Sequence, residues 1–131
     1  MNIGLIAHDN KKKLIQNFCI AYYRILKQHE LFATGATGRM IEEATNLTVH
    51  KFHAGNLGGG EQMAMNIENN LIDMVFFLQD PYFNSKNEPD IVNILKLCDL
   101  HNVPIATNLA SSELLVLALE RGDVEWRNNF K

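Results

Sequence analysis

The 131-residue sequence predicts an α/β protein, a three-layer α/β/α sandwich on a doubly wound, five-stranded, mainly parallel sheet. Three observations predict it. Strand-like and helix-like apolar periods alternate from end to end. One run, IDMVFFLQ at 72 to 79, is almost wholly apolar and stops at Asp80-Pro81, as a strand covered on both faces does. Each strand-like run is followed by a helix-like one, and short right-handed crossovers turn that order into helices on both faces of a parallel sheet.

The elements follow in order. NIGLIA at 2 to 7 is a short apolar run ending in polar residues, and after Asp9 the positions Leu14, Ile15, Phe18, Cys19, Tyr22, Ile25 and Leu26 recur at helical spacing. A short strand through Leu31, Phe32 and Ala33 leads into a glycine-rich turn and a helix carrying Met40, Ile41 and Ala44. LTVHKFH at 47 to 53 alternates apolar and polar residues, the mark of a strand near a sheet edge. A helix from about 61 to 70 precedes the apolar 72–79 strand, which is expected at the centre. A loop through 84 to 88 leads to a helix with Ile91, Ile94, Leu95, Leu97 and Cys98 facing inward. VPIATN is the fifth strand, and Ser111 is expected to cap a final helix with Glu113 nearby.

Composition narrows the class. Residues 1–131 are expected to form a single domain, with 47% hydrophobic and 21% charged residues, enough for one core. A net charge of −3, with basic residues scattered apart from Lys11, Lys12 and Lys13, gives no footprint for nucleic acid. The apolar start is too short to span a membrane and lacks a signal-peptide pattern, so a cytoplasmic location is expected. Cys19 and Cys98 sit in apolar helical patterns as buried thiols; Met63, Met65 and Met74 read as core residues. His29, His50, His53 and His101 read as surface or edge residues, and no spacing suits a metal.

Ligands of doubly wound sheets bind outside the carboxyl ends of the strands. Those ends carry His8 and Asp9, Thr34 to Thr37, Ala54 to Gly60, Asp80, and Thr107 with Asn108. Thr34-Gly35-Ala36-Thr37-Gly38 presents backbone N–H groups and hydroxyls at a helix start, which suits a phosphate or carboxylate, and Lys12 would add a positive charge at the same mouth. The glycine loop containing Gly55 would bring bare backbone close to a ligand. Proton transfer needs carboxylates or imidazoles nearby, and His8, Asp9, Glu61, Asp80 and Asp90 are the candidates.

LIAHDNKKK, HELFATGATG, AGNLGGGEQ, IDMVFF followed by Asp80-Pro81, EPD at 88 to 90, LCDLHNVPIATN and LERGDVEW together resemble the bacterial methylglyoxal synthases, and the similarity spans essentially the whole chain. The resemblance implies a methylglyoxal synthase-like fold and a homohexameric cytoplasmic enzyme. Such an enzyme removes a proton from dihydroxyacetone phosphate and expels phosphate, giving methylglyoxal without metal or organic cofactor, and is inhibited by phosphate. By the same resemblance His8, Lys12, Thr34, Gly35, Thr37 and Gly55 would hold the phosphate and carbonyl end, while Asp9, Asp80 and Asp90 would form the carboxylate set.

The sequence departs from that family pattern at defined points. The family loop reads Ser-Gly-Pro-Leu-Gly-Gly-Asp-Gln; here Ala54 stands for the serine, Asn56 for the proline and Gly60 for the catalytic aspartate, with Glu61 next in line. Asn87 replaces a histidine expected to polarise the substrate carbonyl, and Ala36 replaces the second threonine of the phosphate turn. Two readings follow. In the first, Glu61 serves as the base and Asn87 donates a hydrogen bond to the carbonyl. In the alternative, a catalytically impaired member binds phosphate or a phosphorylated metabolite as a regulatory or non-catalytic subunit.

Overall fold

The computed structural model describes residues 1–53, 58–82 and 91–129. Five parallel strands, β1 (Asn2–Ala7), β2 (Glu30–Ala33), β3 (Val49–Lys51), β4 (Met74–Leu78) and β5 (Ile105–Ala106), lie in the order β3-β2-β1-β4-β5. Among the described residues six α-helices lie between and after the strands, the first two in succession: α1 (Lys12–Ala21), α2 (Tyr23–Leu26), α3 (Gly35–Ala44), α4 (Gly59–Glu68), α5 (Ile91–His101) and α6 (Leu109–Arg121). The chain winds outward from β1 to β3 and then returns to β1's other side at β4. The strand order therefore reverses between β1 and β4, and their carboxyl ends open the crevice that such sheets use for ligands.

The two-residue period of the strands sorts the core into two faces. Ile3, Leu5 and Ala7 of β1, with Met74, Phe76 and Leu78 of β4, belong to the apolar cluster that includes α1, α2, α3 and α6. Ile6, Val75 and Phe77 belong to the second cluster, with Met63 and Ile67 of α4 and Ile94 and Cys98 of α5. All five residues of β4 are buried, but the centre of the order, where the 72–79 run was expected, is held by β1; β4 is the interior strand beside it, and β3 is an edge strand exposing His50 and Lys51. Gly4 makes the close seating of α4 possible: a Cβ there would stand 2.9 Å from Met63 Sδ. Gly58 precedes α4 at φ +98°, a left-handed conformation that favours glycine.

Three further expectations change. The last helix is capped by Asn108, whose side chain accepts from the Ser111 N–H at 2.9 Å, so Ser111 lies inside the first turn and is not the cap. Met65 is 60% exposed and outside the core, unlike Met63 and Met74. Residues two apart on a helix cannot share one face, so burial of Met63 on the sheet turns Met65 toward solvent. The helix after the glycine loop begins two residues earlier than expected, at Gly59.

A buried clasp closes the amino-terminal end of the sheet. Arg127, 4% exposed, donates from Nε to Asp73 Oδ1 at 3.4 Å and from Nη1 to the carbonyl oxygens of His101 and Asn102. Asp73 Oδ2 accepts from the Asn2 N–H at 2.8 Å. The ion pair thus ties the 3-10 turn Glu125–Asn129 to the starts of β1 and β4, on the opposite side of the sheet from the crevice.

Candidate active site

Lys12 is the centre of the cradle. It stands in the first turn of α1 and turns back over the end of β1, donating from Nζ to the Ala7 carbonyl at 2.8 Å and to Thr37 Oγ1 at 3.4 Å. Its ammonium also lies 3.5 Å from Asp9 Oδ1. Thr37 is fully buried in the first turn of α3, and Thr34, 3% exposed, is that helix's N-cap in extended conformation. The Gly35 N–H donates to the His53 carbonyl at 3.1 Å, and the Gly38 N–H closes the first turn on the Thr34 carbonyl at 2.9 Å. The amides of Ala36 and Thr37 lie between them at the positive end of the helix dipole. The sequence therefore places an ammonium, a hydroxyl and helix-terminal N–H groups at one mouth, a donor set suited to a phosphate dianion.

His8 directly follows β1, and its N–H donates to the Leu78 carbonyl at the end of β4. It is 2% exposed, its ring stands edge-on to Phe77, and its Nδ1 accepts a hydrogen bond from the Asp80 backbone N–H at 2.9 Å. A backbone amide can only donate. Nδ1 must therefore be the unprotonated nitrogen, and neutral His8 carries its proton on Nε2, as a donor. That tautomer suits hydrogen bonding to a substrate oxygen on which negative charge develops.

The carboxylates differ sharply. Asp9 follows β1, and its side chain is 81% exposed beside Lys12. Asp80 has both oxygens engaged: Oδ2 accepts from Asn10 Nδ2 and Oδ1 from the Tyr82 N–H, each at 2.9 Å. Glu61 is exposed in the first turn of α4, where it lines, with Ala64, Met65, Glu68 and Lys96, a groove between α4 and α5. Successive helical residues point about 100° apart, so Glu61 follows the α5-facing stripe and does not share the direction of position 60. Gly55, Asn87 and Asp90 lie outside the described residues, as do Ala54 and Asn56.

Of the predicted site residues, the structure brings His8, Asp9, Lys12, Asp80 and the Thr34–Thr37 turn to the carboxyl edge of the sheet and sets Glu61 on the neighbouring groove. Two residues that the sequence reading passed over belong to the same edge. Asn10 reaches Asp80 across the crevice; its position directly after His8-Asp9 was the available signal. Gln62 Oε1 accepts from the His53 N–H at 2.7 Å and so ties the end of β3 to α4. Among the described residues no group of three or more His, Cys, Asp or Glu side chains is gathered to hold a metal ion, and no helix is long and apolar enough to cross a membrane.

The family model of the MGS-like domain matches residues 15–107. A methylglyoxal synthase of Caldicellulosiruptor saccharolyticus is 57% identical over 127 residues, covering 97% of this chain and 90% of the relative. One of Alkaliphilus metalliredigens is 53% identical over 131 residues, covering 100% and 98%. The crystal structure of methylglyoxal synthase from Elizabethkingia anophelis superposes with a TM-score of 0.84 at 33% identity, over 88% of this chain and 76% of that one. The chain belongs to the methylglyoxal synthase family of MGS-like domains.

Proposed function

We propose that the protein converts dihydroxyacetone phosphate to methylglyoxal and inorganic phosphate. Loss of a proton from the hydroxymethyl carbon gives an ene-diolate, and the electrons of that ene-diolate expel the phosphate from the opposite carbon. The enol left behind ketonises to methylglyoxal. Two charges need stabilisation along this path, the phosphate that leaves and the oxyanion that precedes it. Lys12, Thr37 and the start of α3 are suited to the first, and the Nε2–H of His8 to the second.

His8 already accepts at Nδ1 and carries its proton on Nε2, which leaves a carboxylate to take the proton. Asp80 is held by Asn10 and by the Tyr82 amide, and Glu61 faces α5. Our reading gives the role of base to Asp9, which follows β1 and lies 3.5 Å from the Lys12 ammonium, with Asp90 as the other carboxylate that the family resemblance assigns to the site. The reading includes a homohexamer in the cytoplasm, and the exposed Met65, Leu71, Leu100 and Leu114 supply apolar surface for self-association.

The observation that carries the reading is Lys12 Nζ set between the end of β1 and the Thr37 hydroxyl at the start of α3. Its test is direct. Purified protein incubated with dihydroxyacetone phosphate should release methylglyoxal and phosphate in equal amounts. Asp9→Asn should lower kcat by roughly 10²- to 10⁴-fold, the usual range for a positioned base, while Glu61→Ala stays within a few-fold of the parent. Binding of phosphate with no methylglyoxal above background would overturn turnover and leave the binding function alone.

A further inference from the structure

His8 and Asp80 are joined by more than their own hydrogen bond. Asp80 follows β4 and its backbone N–H fixes His8 Nδ1, while its carboxylate is gripped from the other side of the reversal point by Asn10, which follows β1. The Tyr82 N–H holds the remaining oxygen. Asp80 is thus fixed at its amide and at both carboxylate oxygens, and the one side-chain donor among these contacts is Asn10.

We propose that Asn10 is a positioning residue of the active site. By holding the Asp80 carboxylate from the β1 side, it keeps the Asp80 amide aimed at Nδ1 and so maintains His8 as the Nε2–H donor that the proposed reaction uses. This rests on the proposed reaction only for its kinetic consequence; the effect on His8 stands on geometry alone. The amide is suited to the task because it is uncharged and donates to a carboxylate at any pH near neutrality. An aspartate at the same place would set two carboxylates against each other and push the β1 and β4 ends apart.

The test combines two readouts on Asn10→Ala and Asn10→Asp, with thermal melting to confirm folding, since Asn10 is exposed and outside both core clusters. Nitrogen-15 NMR of the His8 ring should show a single Nε2–H tautomer in the parent protein and a mixture of tautomers in both variants. With dihydroxyacetone phosphate, kcat/KM should fall roughly three- to tenfold in Asn10→Ala, the effect of one lost hydrogen bond, and further in Asn10→Asp. The affinity for inorganic phosphate, which the Lys12 cradle governs, should change less than twofold. A His8 tautomer unchanged in both variants would overturn the proposal, whether or not the parent turns over. If the parent releases no methylglyoxal, the reaction reading fails separately and the ring nitrogens still decide the role of Asn10.

Discussion

Lys12 Nζ donates to Thr37 Oγ1 at 3.4 Å, which joins the first crossover helix to the second at the carboxyl edge of the sheet. The contact places a partly buried cation at the start of α3, where helix-terminal amides already favour an anion. Hydrogen bonds to charged groups are worth about 1.5–3 kcal/mol, so Lys12→Met should weaken binding of inorganic phosphate by roughly 10- to 100-fold. Calorimetric titration with phosphate checks it. An unchanged affinity would move the anion site away from this mouth.

Arg127 should matter to stability in proportion to the burial of its partner. Asp73 is fully buried, and removing Arg127 takes the guanidinium away from a carboxylate that has no access to solvent. Breaking a buried pair from one side costs about 3–5 kcal/mol. Arg127→Met should therefore lower the midpoint of urea unfolding strongly, and Asp73→Asn added to it should recover part of the loss, because the neutral amide still accepts from Asn2. A single variant within about 1 kcal/mol of the parent would show that the pair contributes little.

The fold was legible because it rests on periodicity, and the unbroken apolar run at 74–78 marked an interior strand without any long-range knowledge, though not which strand holds the centre. Two residues were misread from sequence for related reasons, Met65 because its place depends on which way a helix is turned and Ser111 because its place depends on where a helix starts. Met63 and Met65 could not both face the sheet, because residues two apart on a helix point in different directions. Asn108 and Ser111 are both good N-caps, and the start of α6 at Leu109 selects the first. The strand-end rule expected His8 and the Thr34–Thr37 turn at one edge, where topology delivers them whatever the side-chain details, and Lys12 reaches the same edge from the first turn of α1. Asn10 escaped it because its partner is 70 residues away, a pairing that only the folded chain reveals.

The two cysteines should be inert in the folded protein. Burial pushes the thiols of Cys19 and Cys98 each up to about 12, so the nucleophilic thiolate is scarce at neutral pH and shielded by packing. A disulfide-exchange reagent should titrate no thiol in native buffer and two after denaturation. Rapid native labelling of either would mean that the helix carrying it opens locally.

Stability should fall in two separate steps as the pH is lowered. His29 Nδ1 accepts from the Met1 ammonium at 3.3 Å, and burial, followed by the charge of that ammonium, holds the imidazole below its ordinary value of 6.5. A histidine depressed in the folded state binds its proton more readily in the unfolded chain. Its contribution is therefore complete above 6.5 and is lost as the pH drops from there through the folded value. Glu42 acts further down: its hydrogen bond from Lys51, then that from the Val49 N–H, hold its carboxyl below 4.5, so its contribution is present above 4.5 and lost as the pH falls through the folded value. Melting temperature followed against pH should lose the upper step in His29→Gln and the lower one in Glu42→Gln, each variant leaving the other step intact. Superimposable curves for parent and His29→Gln would remove His29 from the account.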